Sequence, residues 1–216
     1  MYVKDHMTVN PTCITKETSV SKALDIMEQN NFHRLPVVNE NQELIGLVTE
    51  GLIAESSGAS TTSLSIYELN YLLSRTKVHE IMIRDVVTID PDSLIEEAAH
   101  KMKQNHVNAL PVIDEKKHVI GIITENDIFE AFIDLLGYNA SGTRFVVNVK
   151  EDVPGVLVHL ATLFANKGHN VLNLGVYHNE RGTEVVILAA SDCPEMKDVL
   201  QENGWNVTDV RKQTKA

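Results

Sequence analysis

No apolar run in this sequence approaches the roughly 20 residues that a transmembrane helix needs, so no membrane span is expected. The first residues, MYVKDHMTVNPTC, lack the apolar centre of a signal peptide, which leads to the expectation of a cytoplasmic protein. Cysteine is scarce. Cys13 and Cys193 stand far apart and form no CxxC pair, so they read as free thiols in a reducing compartment. Basic residues are outnumbered, 19 against 30, for a formal net charge of −11. The deficit is deepest between residues 76 and 139, where 6 basic side chains face 12 acidic ones. With no basic segment, binding to nucleic acid is not expected. Catalytic signatures are missing as well. There is no GxSxG, Walker or GxGxxG motif. The nine histidines are scattered without an HxxxH pair, and neither cysteine joins a metal-ligand cluster. The expectation is therefore no enzyme and no metal.

What is present is a repeat. A shift of 75 residues places Val3 on Val78, Met7 on Met82, Ala23 on Ala98 and Met27 on Met102. It also places Leu35-Pro36-Val37 on Leu110-Pro111-Val112, Ile45-Gly46 on Ile120-Gly121, and Thr49-Glu50 on Thr124-Glu125. No gap is needed, so the match reflects structure repeated in the chain. The clearest stretch is Leu110–Asp127, LPVIDEKKHVIGIITEND, with its copy at Leu35–Leu52, LPVVNENQELIGLVTEGL. Two short apolar runs around a polar turn read as a hairpin, and the polar tail reads as a helix start. Ahead of the hairpin, Val20, Ala23, Leu24 and Met27 recur at helical spacing, as do Ile95, Ala98, Ala99 and Met102. Ser93 and Glu96 have the spacing of a capping box before the second of these helices. Each repeat thus reads β-α-β-β-α, and two such units are expected to pack around a pseudo-twofold axis.

The small polar residues of Ser56–Ser65 suggest a loop between the repeats, followed by a short helix over Ile66–Ser74. Gly137–Gly142 reads as a linker. Beyond it the pattern changes to strand, helix, strand, strand, helix, strand, the ferredoxin-like order. The fold class is α+β. The expected divisions are 1–62 for repeat one, 63–138 for the linker helix and repeat two, 139–143 for a linker, and 144–216 for the last domain.

The paired LPVV…GLVTE and LPVI…GIITENDI stretches resemble a tandem pair of CBS domains, a Bateman module. Asp152-x-Pro-Gly155-x-Leu157, followed by Gly168 and Asn170-Val171, resembles the start of an ACT domain. The combination is similar to the acetoin-utilisation protein B group. That resemblance implies regulation by an adenosine ligand: AMP, ADP, ATP or S-adenosylmethionine. It implies Asp127 and Thr124 on the ribose, since a carboxylate accepts two hydroxyls well. It places Ile89, Pro111 and Val112 around the adenine, and the N-terminus of the helix after Thr124 near a phosphate. Residue chemistry alone allows Thr124-x-x-Asp127 to be a helix cap instead.

The two copies differ where this chemistry would be. Repeat one has Leu52 in the place of Asp127, while its His33-Arg34 stands where repeat two has Asn108-Ala109. One composite site per chain is expected, with His33 and Arg34 on the phosphate, although the pair also reads as a solvated helix end. In the last segment the resemblance implies a possible amino-acid site at Asp152, Gly155, Asn170 and Asn173, or a dimerisation module without ligand. The expected partners are a small nucleotide, a second copy of the chain in a homodimer, and possible association with a metabolic enzyme of acetoin or acetyl chemistry.

Overall fold

The structure, a computed structural model, describes residues 1–56, 66–179 and 182–214. The loop read over Ser56–Ser65 lies, beyond Ser56, outside the described residues. The chain divides into two compact units, Met1–Ile128 and Phe129–Ala216.

The first unit opens with a single turn at Val3–Asp5, then β1 (Thr8–Val9), β2 (Ile14–Thr15), α1 (Val20–Asn30), β3 (Arg34–Val38), β4 (Leu44–Thr49) and α2 (Glu50–Ser56). Next come α3 (Ile66–Arg75), α4 (Val78–Ile81), α5 (Ile95–Asn105), β5 (Ala109–Ile113), β6 (Val119–Thr124) and the start of α6 (Glu125–Leu135), a helix that continues past Ile128. Helix α1 forms because its N-cap Ser19 accepts from the Lys22 amide and because Val20, Ala23 and Met27 are buried along one face. Asn31 closes it in the left-handed region, φ 55°, which Asn tolerates. Helix α5 buries the matching stripe of Ile95, Ala98 and Met102. Its cap differs from the Ser93–Glu96 expectation. The Leu94 amide donates to the Glu97 carboxylate at 2.7 Å, one residue later. Ser93 is engaged elsewhere, with its carbonyl accepting from Val3 N–H at 2.9 Å.

The sheets are not closed within each repeat. One has the order β2-β3-β4, the other β1-β6-β5. Strand β1 belongs to repeat one by sequence but pairs with β6 of repeat two, Thr8 opposite Ile122 and Val9 opposite Gly121. The exchange is reciprocal. Ile83, from the leader of repeat two, makes two 2.9 Å backbone hydrogen bonds with Leu47 of repeat one. The core of repeat one accordingly includes Val78 and Met82 beside Ile14, Met27, Leu35 and Val48. The two leader methionines explain the glycines of the repeated motif. A Cβ on Gly121 would lie 2.3 Å from Met7 Sδ, and one on Gly46 would lie 2.5 Å from Met82 Sδ.

The second unit contains β7 (Gly142–Val149), α7 (Val156–Asn166), β8 (Val171–Asn179), β9 (Gly182–Ala189), α8 (Met196–Glu202) and β10 (Asn206–Gln213). The strands form an antiparallel sheet in the order β10-β7-β9-β8. This is the element order read from the sequence. Phe145, Val147 and Val149 alternate into a core with Leu160 and Phe164 of α7. The Gly137–Gly142 stretch, expected as a linker, is held in place. Gln213 Nε2 donates to the carbonyls of Gly137, Tyr138 and Ala140. Gly142 already belongs to β7, and a Cβ there would meet the Ala189 carbonyl oxygen.

Candidate ligand-binding cleft

A cleft of about 400 Å³ opens in the first unit between the two repeats. One side comes from repeat one: Asn31, Phe32, His33, Arg34 and Pro36, at the turn from α1 into β3. The other comes from repeat two: Asn108 before β5, Ile122 and Thr124 on β6, and Glu125 and Asn126 at the start of α6. Thr8, Pro11 and Thr12 complete it, carried there by the exchanged leader. A pocket of this size, in which Pro11, Phe32, Pro36 and Ile122 stand among polar side chains, suits a small organic ligand.

Each wall is closed within its own repeat by the same backbone hydrogen bond. The Glu50 amide donates to the His33 carbonyl at 3.1 Å, and the Glu125 amide donates to the Asn108 carbonyl at 3.2 Å. Arg34 Nη1 donates to Asn108 Oδ1 at 2.7 Å across the pseudo-twofold. Burial lowers the Arg34 guanidinium below its usual range, and the nearby Glu125 carboxylate offsets part of that effect. His33 Nδ1 lies 2.8 Å from Glu50 Oε2, an exposed pair.

Thr124 and Asp127 adopt the cap. Asp127 Oδ2 accepts from the Thr124 amide at 2.6 Å and from its hydroxyl at 2.7 Å. Thr124 Oγ1 accepts in turn from the Asp127 amide at 3.4 Å. Asp127 Oδ1 has no protein partner among the described residues. The cap therefore fixes the carboxylate beside the cleft and leaves one oxygen for another donor. At the corresponding point of repeat one, Leu52 donates its amide to Thr49 Oγ1 at 3.1 Å and packs against the core of that repeat. That position offers no carboxylate.

Three of the residues singled out from the sequence line one cleft: His33, Arg34 and Thr124. Asp127 stands behind Thr124. Ile89, Pro111 and Val112 do not line this cleft. Ile89 forms a parallel bridge with Val112, and all three are buried in the sheet of repeat two. Their places along the wall are taken by Pro36, the repeat-one counterpart of Pro111, and by Thr8, Pro11 and Ile122. The physical reason is their burial in the sheet of repeat two, while Thr8 reaches the cleft on the exchanged leader. A 75-residue shift reveals the repeat but not which sheet each leader joins. Asn108, Glu125 and Asn126 were also missed, although each neighbours a residue of the motif.

The four residues proposed for an amino acid in the second unit do not meet. Asp152 and Gly155 follow the Val149 end of β7, which pairs with Thr183. Asn170 and Asn173 lie at the opposite end of the sheet, where Val171 and Thr143 flank Ala189. At about 3.3 Å per residue, the six steps along β7 from Thr143 to Val149 separate the two pairs by roughly 20 Å. Asn173 Nδ2 is spent on the Leu135 carbonyl, and Asp152 lies 3.9 Å from His178. Gly155 has φ 101° and serves as the N-cap of α7, so Pro154 precedes the helix rather than opening it.

Two β-α-β-β-α units with exchanged leaders and a shared cleft make up one paired module. The chain belongs to the CBS-domain family, whose model matches residues 3–57 and 78–134. Proteins of this family are generally regulatory. A homoserine O-acetyltransferase from Methanohalobium evestigatum is 35% identical over 127 residues, 59% of this chain and 23% of that protein. The chain thus spans less than a quarter of the length of that relative, and the match falls on the CBS part. Among solved structures, the CBS pair of protein MJ0100, in complex with 5′-methylthioadenosine and S-adenosyl-L-methionine, is 28% identical with a TM-score of 0.52. It covers 61% of this chain and 95% of that one. CBSX2 in complex with AMP is 25% identical with a TM-score of 0.53, over 62% of this chain and 97% of that one. A Vibrio cholerae protein provisionally assigned to acetoin utilization (AcuB) is 26% identical with a TM-score of 0.53, over 63% and 93% of the two chains.

Proposed function

We propose that the protein is a regulatory sensor of an adenosine ligand, bound once per chain in the cleft of the CBS pair. The observation that carries this reading is the convergence of Thr124, backed by Asp127, with His33 and Arg34 in one cleft. Asp127 Oδ1 accepts the ribose hydroxyls. The adenine lies against Pro11, Pro36 and Ile122, and the 5′ end points towards Arg34 and the first amides of α6. The MJ0100 and CBSX2 complexes support the ligand class. Binding acts by favouring one of two arrangements of the repeats, in proportion to the ligand's preference for it. The reading includes a cytoplasmic protein with no catalytic role of its own.

The second unit is read as an ACT-like domain, on its β-α-β-β-α-β order and on the Asp152–Leu157 stretch. It serves self-association as a homodimer or amino-acid sensing. Likeness to the Vibrio cholerae protein favours a target enzyme in acetoin or acetyl metabolism.

Calorimetric titration with AMP and S-adenosylmethionine tests the central claim. One site per chain is expected, weakened at least about tenfold in Asp127→Ala, the loss expected when charge-assisted hydrogen bonds to the ribose go. Two equivalent sites per chain, or unchanged affinity in that variant, would overturn it.

A further inference from the structure

The charge inside the cleft limits what the 5′ end of such a ligand can be. Among the residues lining the cleft, Arg34 and Glu125 carry the fixed charges, and His33 is the other titratable group. His33 is held by Glu50. No lysine lines the cleft. Helix α6 would ordinarily offer a partial positive charge at its N-terminus. Here its first turn carries Glu125 and Asp127, which oppose that charge. Arg34 is thus the single permanent positive charge of the lining among the described residues, and Glu125 is close enough to act on it electrostatically. The remaining polar groups, from Asn31, Asn108, Asn126, Thr8 and Thr12, are neutral. They can hydrogen-bond a tail but cannot neutralise one.

A monophosphate adds up to about two negative charges, which Arg34 partly offsets. Each further phosphate brings at least one more charge towards the Glu125 carboxylate without meeting another permanent cation. Like charges at close range disfavour binding. Thioether and sulfonium tails add no negative phosphate charge.

Resting on the adenosine reading above, we propose that the cleft discriminates by charge at the 5′ position. It accepts nucleoside monophosphates and uncharged or cationic 5′-thio derivatives, and it rejects di- and triphosphates. Glu125 is the residue that enforces the rejection, and Arg34 is the residue that admits the monophosphate.

The test is a calorimetric series on the full chain in magnesium-free buffer with 5′-methylthioadenosine, AMP, ADP and ATP. The neutral thioether serves as the reference for each variant. ATP is expected to bind at least about tenfold more weakly than AMP. Glu125→Gln, a change on the exposed first turn of α6, is expected to tighten ATP about fivefold or more relative to the thioether. Arg34→Gln is expected to weaken AMP relative to the thioether. Binding of ATP as tight as that of AMP in the parent protein overturns the selectivity but not the adenosine site. An ATP-to-thioether ratio unmoved by Glu125→Gln overturns the role of that residue. Failure of all four compounds to bind overturns the adenosine reading itself.

Discussion

Gly121 shows how a single residue can carry two meanings. In the sequence it belongs to a stretch that resembles a ligand motif. In the structure the space beside it is occupied by Met7 of the opposite repeat, and Gly46 stands in the same relation to Met82. A side chain as small as methyl has no room unless the thioether moves. Gly121→Ala is therefore expected to destabilise the first unit by about 1–3 kcal/mol, the usual cost of overpacking a filled site. Urea unfolding of the two proteins checks it, and equal midpoints would show that Met7 swings aside at no cost. Thr124 and Asp127 carry two meanings as well. The cap was legible from spacing alone, because it needs only neighbours three residues apart. A ligand role depends on groups from far along the chain, which spacing cannot reveal. The duplication itself was legible from matching residues, and the difference between Leu52 and Asp127 pointed to the repeat with the carboxylate.

At the level of elements, the local patterns were read well and their partners were not. The stripes of α1 and α5 follow helical periodicity, and the alternation of Phe145, Val147 and Val149 follows the pleat, so both were visible in sequence. Strand β1 has only two residues, too few to show any period. Its pairing with β6 depends on where the chain is free to reach, which is a property of the folded state. Removing residues 1–9 tests how much β1 matters. Hydrogen exchange is expected to accelerate at the β6 amides around Gly121 and Ile122, in repeat two, more than in β3 and β4 of repeat one. A larger loss in repeat one would mean that the exchanged strand does not hold the sheet it joins. The truncation also removes Val3, which is fully buried, so reduced stability of the first unit accompanies the local effect.

For the molecule as a whole, the division into Met1–Ile128 and Phe129–Ala216 gives each part its own core. Scanning calorimetry is expected to resolve two unfolding transitions. Free AMP at about 100 times its dissociation constant stabilises the unit that binds it by about 2.7 kcal/mol. The transition of the first unit moves and that of the second stays. Equal movement of both would mean that the units unfold together. No helix among the described residues is long and apolar enough to cross a membrane, and the second unit offered no site that its residue types alone could define. Its candidate residues were drawn together by resemblance, and the antiparallel sheet sets them at opposite ends.

The exchanged leaders bear on descent. In a one-repeat ancestor, the same exchange would have joined two separate chains, each lending its first strand to the other, as in a domain-swapped dimer. Fusion of two such copies would make the encounter intramolecular, so that pairing would no longer depend on protein concentration. Two copies of one identical chain could not hold the difference seen here, with Asp127 in one repeat and His33 and Arg34 in the other.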